Sequence, residues 1–306
     1  MNVERQQNPD LSGSFEKYLR QNKLMESTVR GHLQDMERFK KWCKKRNTNY
    51  INADYNELLE FIRETRARGV SKSSINIHLN SISKYYEYLT EQGERNDNPA
   101  KDLRLKNTGK KVLQHLLTTQ ELEEIYTSYA NKPEWSFSKE KSKQSHLRNT
   151  VILGLIIYQG IQTQELKKIE KTHLNLLQGT IYIPSSCRSA GRILKLNAKQ
   201  IIPIQQYLQT TGTNQERLFN CKINPVVFWL MTTLRKENEK ACGEHSRTIK
   251  EAGQIRSSVI INWLRQHNIR QVQYMAGHKH IGSTERYKQE DLQDLQLQLN
   301  LFHPLK

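Results

Sequence analysis

A chain of 306 residues is long enough for two domains of ordinary size. Its formal net charge of +17 and pI near 9.6 point to a polyanionic partner, nucleic acid foremost, though charge alone does not choose DNA over RNA. Lys and Arg are scattered along the chain, which excludes a solvated basic tail as their source. Cys43, Cys187, Cys221 and Cys242 are far apart and form no CxxC pair. A zinc site or disulfide framework is therefore not expected, and the thiols should be reduced. The polar start MNVERQQNPD has no signal-peptide core, and no apolar run approaches the roughly 20 residues of a membrane span. A cytoplasmic protein with no membrane partner is the expectation.

From Ser14 to about Gly93 the pattern is helical. Phe15, Tyr18 and Leu19 suggest a first helix. Val29, Leu33, Met36, Phe39 and Cys43 recur at helical spacing, as do Ile75, Leu79, Ile82, Tyr86 and Leu89. Leu58, Leu59, Phe61 and Ile62 mark a shorter helix between them, with Asp54 as its cap and Gly69 just past its end. This predicts a bundle of about four helices over residues 1–98. Residues 99–112 read as a basic linker holding Pro99 and Gly109. It either lies along a phosphate backbone or is simply solvated.

A second domain, 113–306, opens with TTQELEEIY, in which Thr118 and Glu121 form a capping box. Residues 131–148 read as a polar loop. The apolar run VILGLIIY then predicts a buried helix over 147–158. At YQGIQTQEL the chain turns near Gly160 and passes into ELKKIEKTHL, which reads as a second helix. TIYIP (180–184) and RILKLN (192–197) are β-favouring runs separated by SSCRSAG, a hairpin or meander. Helices resume from Ile201. The fold class expected is mainly α with a small antiparallel sheet.

The stretch IRSSVIINWLRQHNIRQVQYMAGHKHIGSTERY (255–287) holds Arg256 in a helical pattern, then Gly277-His278, then Tyr287 nine residues after that His. This order resembles the C-terminal signature of the tyrosine recombinases, the phage integrase family. The N-terminal helical pattern is similar to the family's core-binding domain, so the resemblance runs from about residue 12 to 300. It implies a helical core-binding domain followed by a catalytic-type domain. It also implies double-stranded DNA as partner, no metal or other cofactor, and a bacterial or phage-encoded protein.

In the family a Tyr phenol attacks a DNA phosphodiester to give a 3′-phosphotyrosine link. Two Arg hold the charge on the nonbridging oxygens, their planar forks suiting phosphate. A His near the Tyr adds a hydrogen bond, a hairpin Lys serves as general acid, and a His three residues before the second Arg helps position the site. The resemblance carries the second Arg to Arg256, the His to His278 and the nucleophile to Tyr287. The first Arg belongs in a T-G-L-R-x-x-E-L corner. YQGIQTQEL supplies Gly160, Glu165 and Leu166, but Gln162 stands at the Arg position. Gly253 stands where the upstream His is expected, and residues 185–191 contain no Lys. Arg188 and Arg192 are the cations at hand there, but an Arg with a pKa above ~12 is a poor proton donor.

Three catalytic positions are thus lost, while Arg256, His278, Lys279, His280 and Arg286 keep what phosphate binding needs. For Arg256 the alternative is an ion pair, with Glu165. For His278 it is a helix-end ring on a backbone partner, and for Tyr287 a packed ring. Arg188 and Arg192 are further candidates for DNA contact. In the first domain Lys72, Ser73, Asn76 and His78 begin a long helix, and Thr28 and Arg30 another. A helix start suits phosphate, and Asn can read adenine; a solvated helix face is the alternative for each. The tail places Leu292, Leu295 and Leu299 at helical spacing. In the family such a helix docks on a neighbouring protomer, which would give homo-oligomers on DNA; packing on its own domain is the other reading. The function expected is a sequence-specific duplex-DNA-binding protein that has lost most cleavage chemistry, a regulator or repressor of a phage or mobile element. An atypical recombinase using Tyr287 is the alternative.

Overall fold

The computed structural model describes residues 11–106, 116–133, 140–211, 215–242 and 249–288. The chain divides into two compact units, residues 1–110 and 111–306. In the first, helices α1 (Leu11–Gln21), α2 (Glu26–Lys45), α3 (Tyr55–Ala67) and α4 (Lys72–Glu91) form a bundle. The spacing read in the sequence is its cause. Val29, Met36, Phe39 and Cys43 bury along α2, and Ile75, Leu79, Ile82, Tyr86 and Leu89 along α4. Asp54 caps α3 by accepting from the Glu57 N–H at 2.8 Å, and Glu57 accepts from the Asp54 N–H at 2.9 Å. Such a cap is worth about 1 kcal/mol. Gly69 ends the turn that follows with a φ of 81°.

The second unit holds α5 (Thr119–Ala130), α6 (Glu140–Gln159), α7 (Thr163–Leu166), a 3-10 turn (Lys171–His173), β1 (Leu174–Asn175), β2 (Thr180–Ile183) and β3 (Arg192–Lys195). Helices α8 (Ala198–Thr210), α9 (Ile223–Cys242), α10 (Ala252–Gln266) and α11 (Ile269–Ala276) follow, then a helical run over 282–288. The strands form one antiparallel sheet in the order β1-β2-β3, with Ile181 opposite Leu194. β3 lies at the edge, and side chains occupy its outward backbone groups. Ile193 N–H donates to the Tyr274 hydroxyl at 3.0 Å, and Gln159 Nε2 donates to Lys195 O at 2.9 Å. An edge treated this way offers little to a foreign strand.

Two expectations for this unit change. The polar loop expected over 131–148 is helical from Glu140, because its Glu, Lys and Gln are good helix formers and extend α6 into solvent. The helix expected after the corner is only α7. Leu166 and Ile169 are both buried, and Glu170 pairs with Arg217 in a β-bridge, so the chain leaves the helix to enter the sheet. The core centres on α6, whose residues 151–157 are buried all round. Beside it Gln159 and Gln200 exchange amide hydrogen bonds of 2.9 and 3.0 Å, and Gly154 leaves room for them. Ser258 and Asn262 of α10 pin Leu117 by its N–H and its carbonyl at 2.9 and 3.0 Å. The leucine-rich tail lies outside the described residues.

Part of the expected linker is not free. Leu103 and Leu105 pack against the cluster of Ile62, Ile75 and Leu79. Asn76 clamps this strap as a paired strand would, with Nδ2 donating to Leu105 O and Oδ1 accepting from Leu105 N–H, both at 2.9 Å. Lys72 Nζ donates to Lys106 O at 3.5 Å. Asn76 is therefore not available to read a base, and Lys72 already has a carbonyl partner. His78 is taken as well. Its Nδ1 lies 2.8 Å from Asp35, a buried carboxylate that also accepts from Arg38 at 2.6 Å and from Ser81 at 2.9 Å. His32 Nδ1 sits 2.9 Å from the same Ser81 oxygen, so a polar network ties α2 to α4. Ser73 and Arg30 remain exposed. Replacing Asn76 with Ala should remove both strap bonds and cost about 1–3 kcal/mol, at roughly 0.5–1.5 kcal/mol each. Urea denaturation of the full chain reads this directly; an unchanged midpoint would refute the clamp.

Candidate functional site

The corner at 159–166 is shaped before any charge is placed in it. Gly160 has a φ of 56°, a left-handed value that glycine adopts at least cost. A Cβ there would also sit 3.2 Å from the Trp263 ring and 3.3 Å from Val259. The turn brings Gln162 to the start of α7, where its N–H donates to Glu165 Oε2 at 2.9 Å. Glu165 is only 2% exposed, so its charge needs a partner.

That partner is Arg192. Its Nη1 and Nη2 donate to Glu165 Oε1 and Oε2 at 2.7 and 3.0 Å, a bidentate fork. Its Nε donates to Met275 O at 2.9 Å. Burial alone would push the Glu165 carboxyl up, but the Arg192 bonds and charge outweigh it and hold it below the usual range. Gly277 makes the arrangement possible. It ends α11 with a φ of 70°, and a Cβ on it would collide with Arg192 Nη1. Both demands restrict this position to glycine.

Arg256, on the buried helix α10, is 6% exposed. Its Nη1 donates to Gly160 O, and its Nη2 to Ala276 O at 2.7 Å. It is thus oriented by two neutral carbonyls. The ion pair with Glu165 considered above is not made, because Arg192 holds both carboxylate oxygens. Burial lowers the Arg256 guanidinium from its ordinary value, and the nearby charge of Glu165 works the other way. It remains the protonated form.

His278 follows Gly277. Its Nδ1 lies 2.9 Å from the hydroxyl of Thr284, and its ring stacks on Tyr287 with centroids 5.8 Å apart. Tyr287 packs against Ile260, Val272 and Ala276. The hairpin loop joins the same turn through its backbone: Ala190 N–H donates to Gly277 O at 2.9 Å, and Ser189 bridges His278. Arg256, His278 and Tyr287 are therefore brought together, with the corner and the hairpin loop around them. Lys279, His280 and Arg286 are exposed close by in sequence, and Arg188 is exposed in the hairpin loop. Gly253 lies in the exposed first turn of α10, one turn before Arg256, and supplies no side chain.

Arg192 is the correction. Its side chain is 0% exposed, so it serves Glu165 and cannot meet a phosphate on the surface. The sequence carried that signal. In RILK, strand alternation puts Arg192 in phase with the buried Leu194 and out of phase with the exposed Ile193 and Lys195. Thr284, which holds the ring of His278, carries no signal in the sequence pattern. Among the described residues no cluster of His, Cys, Asp or Glu could hold a metal ion, and no helix is long and apolar enough to cross a membrane.

With this geometry in place, the comparisons with known proteins agree on a class. Residues 13–93 match the family model described as the phage integrase N-terminal SAM-like domain. The TnP I resolvase of Bacillus thuringiensis is 25% identical over 207 residues, 65% of this chain and 67% of that one. A tyrosine recombinase XerC of Pseudomonas putida is 23% identical over 292 residues, covering 93% and 92% of the two chains. Among solved structures, a Tn1549 transposon integrase in complex with a circular intermediate DNA superposes with a TM-score of 0.68 at 14% identity, over 93% of this chain and 99% of that one. XerH site-specific recombinase bound to a palindromic difH substrate gives 0.65 at 18% identity, over 95% and 84%. The fold is that of the tyrosine recombinases and integrases. Over residues 13–93 the chain carries the phage integrase N-terminal SAM-like domain, and over most of its length it is similar to tyrosine recombinases and integrases.

The half-buried ring of His278 yields a pH test. His278 is pushed down from 6.5 to about 4, first by burial and then by the charges of Arg256 and Arg192, with Glu165 acting in the opposite sense. Between these values the unfolded chain binds a proton that the folded ring refuses, so stability rises with pH. This contribution is complete above about pH 6.5 and is lost as pH falls toward 4. Thermal melts across that window should therefore show a shallower acid loss in His278→Gln than in the wild type. Parallel curves would count against a neutral, half-buried ring.

Proposed function

We propose that this protein is a sequence-specific duplex-DNA-binding member of its family that has lost most of the cleavage chemistry. Its role is that of a transcriptional regulator or repressor of a phage or mobile element. The observation that carries this reading is Gln162. It stands at the corner position where the family pattern has its first Arg, and it is neutral. Two further absences support it: the hairpin loop 185–191 has no Lys, and Gly253 offers no side chain one turn before Arg256. A lost charge-stabilising donor costs about 10² to 10³ in rate. A lost general acid costs roughly 10² to 10⁴. Residues acting as a unit do not combine additively, but each loss falls on the same step. What remains, Arg256 beside a neutral His278, suits holding a phosphodiester.

The second reading is an atypical recombinase. It is favoured by the proximity of Tyr287, His278 and Arg256, and by relatives that carry the name recombinase or resolvase. Here Tyr287 would attack and Arg256 would hold the phosphate without a second corner cation. The DNA contacts of the first unit fall in this proposal to Ser73 and Arg30, with Lys72 adding charge, and those of the second to Arg188, Lys279 and Arg286. Oligomers built through the C-terminal segment would place two copies on one site.

Genome-wide mapping of bound sites, followed by nicked suicide duplexes built on the sites found, separates the two readings. The first predicts sites spread over promoters and no covalent adduct on a denaturing gel, with Tyr287→Phe binding duplex as the wild type does. An adduct that disappears in Tyr287→Phe would establish the recombinase reading instead.

A further inference from the structure

We propose that Arg192 is a positioning residue that occupies Glu165, so that the charge of Arg256 stays uncompensated and available to a phosphate group. The inference rests on reading the site as one that holds a DNA phosphate. Three ionised groups share the corner, two guanidiniums and one carboxylate. The carboxylate is within electrostatic reach of both cations. Its two oxygens are committed to the fork of Arg192, and Oε2 also accepts from the Gln162 N–H. A carboxylate with this many donors has little left to offer a second guanidinium. Arg256 is held instead by the carbonyls of Gly160 and Ala276, which fix its direction without cancelling its charge.

Both arginines are buried, Arg192 at 2% and Arg256 at 6% exposed. The Arg192 side chain is wholly buried, fixed by Met275 O and by the space that Gly277 leaves. It therefore acts through another residue. Were its fork removed, the cation left nearest to Glu165 would be Arg256. The carboxylate would then compete with any incoming phosphate for that guanidinium. With the fork in place, the corner keeps one positive charge in excess, and the neighbouring His278 ring adds none.

Binding of the full chain to a random-sequence duplex, measured against salt concentration, tests this. Each phosphate neutralised contributes about 0.9 to the slope of log affinity against log salt on B-form DNA. Arg192→Met should weaken binding and make the slope shallower by about 0.9, although Arg192 touches no DNA. Arg192→Lys, which keeps a charge on Glu165, should retain the wild-type slope. The pair Arg192→Met with Glu165→Gln should restore it, because the competing carboxylate is gone. A variant that is only less stable would lower the active fraction without changing the slope. Should Arg192→Met fail to fold, the double variant carries the test, since removing both members of a buried pair is tolerated far better than removing one. A wild-type slope in Arg192→Met, or a double variant shallower than wild type by about 0.9, overturns the inference. A wild-type chain that binds no duplex sinks the DNA-binding reading itself, which is a distinguishable result.

Discussion

Glu165 and Arg192 face each other through two hydrogen bonds, wholly inside the second unit. A buried pair of this kind is held only while both members are present. Removing one leaves a stranded charge and costs on the order of 3–5 kcal/mol. The surrounding backbone is arranged to satisfy it. Gly277 lacks the Cβ that would strike the guanidinium, Met275 O accepts its Nε, and Gln162 N–H fills the remaining side of the carboxylate. The corner, the edge strand β3 and the end of α11 are thereby fixed to one another. Arg256 completes the same knot from α10 through Gly160 O and Ala276 O. The site is thus assembled without any contribution from the side chain at 162.

That independence bears on chemistry. Only interactions that strengthen in the transition state accelerate a reaction. A phosphodiester at rest carries a single negative charge, and the corner offers a single positive excess. As a nucleophile attacks, charge builds on the nonbridging oxygens, and a second fixed cation would then gain most. Gln162 can donate a hydrogen bond there but adds no charge. The hairpin loop beside it can supply Arg188, whose guanidinium does not give up a proton at physiological pH. The electrostatics of the corner match a bound phosphate better than a reacting one.

Much of the fold was legible because its elements are locally consistent. The helical spacing along α2 and α4, the cap at Asp54, the capping box at Thr118 and the two β-favouring runs all appear where their residues placed them. Contacts over long sequence separation were less legible. Asn76 had the right chemistry to read a base and the right chemistry to clamp a strap, and only the approach of Leu105 decides between them. Glu165 had two candidate cations, and pairing with Arg192 rather than Arg256 depends on a glycine 85 positions away from one and 21 from the other. The alternation in RILK does mark Arg192 as inward-facing. ELKKIEKTHL shows the reverse case, where good helix formers yield to burial of Leu166 and Ile169 and to the entry into the sheet.

Retention of Tyr287 and His278 is easily overweighted. Both have packing duties that require no chemistry. The His278 ring bonds Thr284, which is fully buried, and stacks on Tyr287, which in turn covers Ile260, Val272 and Ala276. These contacts tie the run over 282–288 to α10 and α11. A burial-depressed His is also neutral at ordinary pH, so it can hydrogen-bond a phosphate without adding to the charge that Arg256 presents. Loss of either ring would therefore loosen the proposed phosphate site even in a protein that never cut DNA. The three absent groups have no such double duty. Gln162, Gly253 and a lysine-free loop leave the packing around them intact, so their absence bears on cleavage more directly than the surviving Tyr does.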